Sequence, residues 1–169
     1  MTLDLGFEWA NRVAVIAWLS LFLGVTAEGL PPRVAHAQRM ARWALWVGGR
    51  CLPILLCAAY GLVLWRCLPD ASGGFGSLAD VQRLFESPGV LLAGWMHFLA
   101  FDLWLGRWQV DHLRVTLGPD TASRSAWVMR AGLYPCLGMT FLFGPIGLLL
   151  FLLLVGGYRL ARRQYAAAW

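Results

Sequence analysis

Four long runs of apolar residues, separated by short segments rich in Arg, Pro and Gly, set the pattern of this chain. The first covers roughly residues 7–25 and contains Val13-Ala14-Val15-Ile16-Ala17-Trp18-Leu19-Ser20-Leu21-Phe22-Leu23. About 19 residues at 1.5 Å each cross the hydrocarbon of a bilayer. Three further runs, roughly residues 43–68, 89–107 and 131–158, are as long or longer. The pattern predicts an all-α integral membrane bundle of four transmembrane helices, forming a single domain over residues 1–169. Between the second and third runs, Ser77 to Ser87 places Leu78, Val81, Leu84 and Phe85 on one helical face. That segment is too short and too charged to span, so it predicts a helix lying along the interface.

Punctuation between the runs is clear. Glu28-Gly29-Leu30-Pro31-Pro32 breaks the first helix, and Gly118-Pro119-Asp120 ends the third. The segment with Arg33, His36, Arg39 and Arg42 reads as a headgroup-facing loop, and Asp70 to Gly76 as a turn cluster. Pro53 predicts a kink in the second span. Gly144-Pro145-Ile146-Gly147 predicts a kink and a close helix approach in the fourth. Glu8 with Arg12, and Arg107 with Asp111, are spaced to pair at i,i+4. Val25-Thr26-Ala27 resembles a cleavage site, but Asp4 and Glu8 replace the basic cluster of a leader, so the first run is read as an uncleaved span.

Composition sharpens this picture. Hydrophobic residues make up 59% of the 169 and charged residues 14%, too apolar for an ordinary soluble domain. All fourteen basic residues are Arg, giving a formal charge of +5. They flank the apolar runs, as side chains reaching for headgroups do, which argues against a nucleic-acid partner. Seven Arg fall on the loops opposite the termini and six on the terminal side. The larger count would put the termini outside, but a difference of one does not set orientation. Cys51, Cys57, Cys67 and Cys136 lack metal-ligand spacing and read as buried free thiols, with no metal expected. No nucleotide-binding loop, Ser/His/Asp order or HExxH motif occurs.

The chemistry concentrates in Gly94-Trp95-Met96-His97-Phe98-Leu99-Ala100-Phe101-Asp102-Leu103-Trp104-Leu105-Gly106-Arg107. A carboxylate at membrane depth should face the protein interior and find a partner. His97 and Asp102 point about 140° apart and differ by about 7.5 Å in height, so they should not bond within a regular helix. Arg50 matches Asp102 in depth and is one candidate ion-pair partner; Arg107, reaching back along the same helix, is the other. Tyr134 and Thr140 enter the fourth span from that face. Asn11 is the polar residue of the first span, suited to an interhelical hydrogen bond. Asp102 with Arg50 has two readings, a register-fixing pair or part of a reactive site. His97 likewise serves either interhelical bonding or proton transfer.

Trp95-x-His97-x-Leu99-Ala100-x-Asp102-Leu103-x-x-x-Arg107, followed by Phe141-Leu142-Phe143-Gly144-Pro145-Ile146-Gly147, resembles the abscisic-acid-deficient-four-like family. The placement of Asn11 and Trp18 is similar to that family too. Its plant members are plastid membrane proteins needed to make neoxanthin from violaxanthin, a reaction in which an epoxide opens while a neighbouring carbon loses a proton. The resemblance implies an isomerase acting on a carotenoid or related isoprenoid, with His97 and Asp102 as the acid/base pair. Arg50 or Arg107 would stabilise oxyanion charge, and Tyr134, Thr140 and Asn11 would line the site. It implies no cofactor. The expected partners are a lipid-soluble substrate or pigment and membrane lipids; oligomerisation is left open. The expected location is a bacterial inner membrane. The rival reading is a non-catalytic scaffold or pigment-binding partner; a transporter is disfavoured by the lack of an internal repeat.

Overall fold

The first helix, α1 (Leu3–Glu28), is apolar nearly all round, as a helix with lipid on one side and protein on the other must be. Its small residues Gly6, Ala10, Ala14, Ala17 and Gly24 are buried at helical spacing, while Val15, Ile16, Leu19 and Leu23 stand exposed on the other side. In the computed structural model, which describes residues 2–28, 35–118 and 123–167, the other elements are α2 (Ala35–Trp46), a π-helical turn (Val47–Cys51), α3 (Leu52–Cys67), α4 (Leu78–Phe85), α5 (Pro88–Leu117) and α6 (Arg124–Ala167). There is no strand among the described residues. Four helical stretches are long and apolar enough to cross a membrane: Leu3–Glu28, His36–Cys67, Pro88–Leu117 and Arg124–Arg162. The expected all-α class is therefore borne out. The breaks expected at Gly29–Pro32, with Arg33, and at Pro119–Asp120 lie outside the described residues.

The chain divides into two compact units, residues Met1–Leu103 and Trp104–Trp169, each taken by itself below. In the first, α2, the π turn and α3 form one continuous rod. The loop expected around His36, Arg39 and Arg42 is helix α2 instead. Its run of Ala, Gln, Arg and Met consists of good helix formers with neither Gly nor Pro. Its charges mark a solvated helical face, not a loop.

At Pro53 the rod carries a local change of winding. A proline removes one backbone donor and crowds the carbonyl four residues back. The π turn supplies the room: the Leu52 N–H bonds to the Val47 carbonyl, five residues earlier. The widened turn also directs Gly48 and Gly49 inward and leaves Arg50 exposed. A side chain at Gly48 would collide with the Ala17 carbonyl and Ser20 of α1, and one at Gly24 would collide with Leu45. Close approach at these two points locks α1 against the rod in antiparallel register.

Helix α4 begins at an N-cap, Ser77, whose Oγ accepts from the Asp80 N–H at 3.1 Å. Gly73, at φ +99°, turns the preceding chain under α4, and the N–H of Gly74 donates to the Asp80 carbonyl at 3.2 Å. Leu84 is buried, and Phe85 packs over Gly94 of α5. Leu78, expected on the same face, points away and is 85% exposed, beside Phe75 at 83%. Two such apolar side chains suit a helix resting on lipid.

In the second unit, α6 departs from the single crossing expected over residues 131–158. Phe143 (φ −145°, ψ 39°) and Gly144 (φ 11°, ψ −77°) leave the helical region. Pro145 then starts a new helical arm, where its missing N–H costs nothing. A methyl placed on Gly132 would stand 3.0 Å from both methyl carbons of Leu154. On a straight helix those residues are roughly 33 Å apart. The fourth apolar stretch is thus a helical hairpin, folded back at Phe143–Gly144. The kink expected at Gly144-Pro145 is a reversal.

Candidate functional site

In the first unit, Asp102 lies on the inward side of α5 with Leu99 and Leu103, and is 6% exposed. Its Oδ2 is buried without a hydrogen-bond partner. Among the described residues, no ion pair joins it to Arg50, and the expected Arg50–Asp102 pair is not formed. The π turn is the reason, since its extra residue carries Arg50 to the outside of the rod. Arg107, the other candidate, grips Asp111: Nε donates to Oδ2 at 2.8 Å and Nη2 to Oδ1 at 2.7 Å. That i,i+4 pair was expected from the spacing. Arg114 donates to the same Oδ1 at 2.8 Å.

His97 stands on another side of α5, exposed, as the 140° separation requires. Its ring stacks on Phe101 at 4.4 Å and meets the edge of Tyr60 at 5.4 Å. Trp95 stacks on Phe98 at 5.8 Å, and Trp104 is 41% exposed. The helix thus presents a row of rings outward, with His97 among them, and a lone carboxyl inward. His97 and Asp102 do not meet. Asn11 makes the interhelical bond: Trp95 Nε1 donates to its Oδ1 at 3.1 Å, while its Nδ2 donates to the Phe7 carbonyl at 2.9 Å.

In the second unit, Thr140 is buried at the end of the first arm of α6. Gln109 Nε2 donates to Thr140 Oγ1 at 2.8 Å, and that hydroxyl donates to the Cys136 carbonyl at 2.8 Å. Tyr134 is half-buried on the same arm. Of the four cysteines, all free, only Cys136 is fully buried; Cys51 is exposed, and Cys57 and Cys67 are partly so. The expectation of four buried thiols therefore holds for one. Thiols tolerate a lipid-facing position as small apolar groups, so spacing alone does not separate the two environments.

Gln109 had no role in the sequence reading, although an amide inside an apolar stripe is a signal that it needs a partner. Replacing Thr140 with Val should leave the Gln109 amide buried and unpaired, costing about 1–3 kcal/mol. A Gln109→Leu/Thr140→Val double variant should recover part of that loss. Thermal unfolding in detergent, run as a double-mutant cycle, checks this; additive effects would mean the bond carries no energy.

A second group was also unforeseen. Trp108, His112 and Phe151 pack their rings 4.8–5.9 Å apart. Arg159 reaches His112 Nε2 at 3.1 Å and Thr116 Oγ1 at 3.3 Å. A guanidinium only donates, so Nε2 accepts and the imidazole proton sits on Nδ1. The i,i+4 spacing of Trp108 and His112 was legible, but Arg159 is far away in sequence.

One groove adjoins Trp95 and is lined also by Phe7, Leu91 and Leu92; another is lined by Arg39, Arg42, Trp43 and Trp46, and another lies between the arms of α6. No curated protein and no solved structure matches the chain. The model of the ABA DEFICIENT 4-like family does match, over residues 5–151, from α1 through the hairpin turn and into the second arm of α6. With its apolar helices, its Trp95–Arg107 block and its Phe-Gly-Pro turn inside that match, the chain belongs to the ABA DEFICIENT 4-like family of membrane proteins.

Proposed function

We propose that this protein is an isomerase of a carotenoid or related isoprenoid, acting by proton transfer within the bacterial inner membrane. The observation that carries the reading is the Asp102 carboxyl oxygen, buried in a membrane-crossing helix with no hydrogen-bond partner. Such a group is costly, and an ionisable side chain at that depth is a functional position by default. In the reaction implied by family membership, the epoxide C–O bond breaks and its electron pair goes to oxygen, which takes a proton. A neighbouring C–H bond gives its pair to the new double bond and its proton to a base. Composition is unchanged, so neither oxidant nor reductant is consumed.

Asp102 supplies the acid in this scheme. His97 is the group a polyene would meet from the lipid side, between Tyr60 and Phe101. Arg50 and Arg107 keep the charge-stabilising role only if substrate draws them from their present positions, Arg50 outward and Arg107 on Asp111. Tyr134, Thr140 and Asn11 remain lining candidates. The test compares lipid extracts from carotenoid-producing cells with and without the protein. A new isomer should appear, and Asp102→Asn should slow its formation by about 10²–10⁴-fold while the variant still folds. Unchanged formation in Asp102→Asn would remove the acid assignment.

The second reading, a non-catalytic pigment-binding partner, is favoured by the outward row of rings around His97. It predicts a pigment that co-purifies unchanged and is lost in His97→Ala.

A further inference from the structure

We propose that the groove between the two arms of α6 is a binding site for a membrane phospholipid with an anionic headgroup, one acyl chain lying between the arms and the phosphate at Arg124. The arms touch where Gly132 meets Leu154 and separate toward their open end. There Val128 and Met129 of the first arm face Leu153 and Gly157 of the second across a groove of about 670 Å³. That volume falls within the usual range of ligand clefts, about 300–1,000 Å³. The walls are apolar, and no atom lies within 4 Å of where a Gly157 side chain would begin. An acyl chain fits such walls; a polar ligand does not.

Charge selects the headgroup. Arg124 and Tyr158 stand at the open end of the groove. Arg162 lies over the Tyr158 ring at 5.8 Å and donates to its hydroxyl at 3.4 Å. Among the described residues no acid pairs with Arg124. Residues 104–169 carry seven Arg against two Asp, and Asp111 is already shared by Arg107 and Arg114. An anionic phosphate at Arg124 balances this excess where a basic side chain meets the membrane surface.

The full chain, reconstituted in vesicles, is tested with spin-labelled phosphatidylglycerol and spin-labelled phosphatidylcholine. The expected result is a motionally restricted population that favours phosphatidylglycerol. Arg124→Gln should reduce that preference about five-fold, the effect of one basic side chain near an anionic surface. Gly157→Leu, which fills open space and should fold normally, should remove the restricted population specific to phosphatidylglycerol. Equal restriction of the two lipids by the native chain, or a preference that survives Gly157→Leu, would overturn the proposal.

Discussion

Cysteines introduced as Ser125→Cys and Arg162→Cys, in a chain with its four native cysteines replaced, will react with a membrane-impermeant maleimide from the same side of the membrane. A straight helix would hold these positions roughly 56 Å apart and deliver them to opposite sides. The reversal at Phe143–Gly144, with Gly132 seated against Leu154, brings both ends of α6 back together. The first arm, residues 124–142, is about 28 Å long and the second, from Pro145 to Ala167, about 34 Å, each comparable with the ~30 Å of a bilayer core. Whether the arms cross fully or stop short, residues 125 and 162 share a side. A third label, Leu142→Cys at the turn, separates those two cases, because only a full crossing exposes it opposite. Labelling of Ser125→Cys and Arg162→Cys from opposite sides would mean that α6 is one extended span.

Gly147→Ala should be the most damaging single substitution in the second unit. The added methyl would collide with the Thr140 backbone nitrogen, Cα and hydroxyl. Backbone cannot swing aside as a side chain can, so the hairpin must open or the arms must shift. Overpacking of this kind costs about 1–3 kcal/mol and more where nothing yields, so a loss of about 3 kcal/mol or more is expected. It would also strain the Gln109–Thr140–Cys136 bonds. Gly156→Ala is the control: nothing lies within 4 Å of its Cβ position, and a helical Ala is favoured over Gly by about 1 kcal/mol. Thermal unfolding in detergent should separate the two variants clearly. Equal midpoints for Gly147→Ala and the native chain would show that the turn is looser than described.

Much of this architecture was legible because membrane helices announce themselves by length and hydropathy. The i,i+4 geometry of Arg107 and Asp111 and the amphipathic stretch around α4 were equally open to reading, since both are local. Helix α2 was obscured by its own arginines, which resemble a loop in composition but not in propensity. The reversal in α6 was hidden for a different reason. Phe141 to Ile146 is as apolar as its flanks, and hydropathy is blind to chain direction. The Gly-Pro-x-Gly sequence was its only mark. Depth counting suggested Arg50 for Asp102, but depth does not fix the direction in which a side chain faces, and at the π turn Arg50 is exposed. The inward carboxyl of Asp102 followed from the cost of charge in lipid; its lack of a partner did not.

The five residues from Val47 to Cys51 act as a phase absorber in the rod. One residue lost there would restore ordinary winding and leave the chain beyond it facing as before, because five residues of the wider turn sweep about the same angle as four of an α-helix. Pro53 would then face an intact carbonyl ladder, while Tyr60 would stay on the His97 ring. The same deletion between Pro53 and Tyr60 has no wide turn to absorb it and would rotate the face of α3 that meets α5 by about 100°.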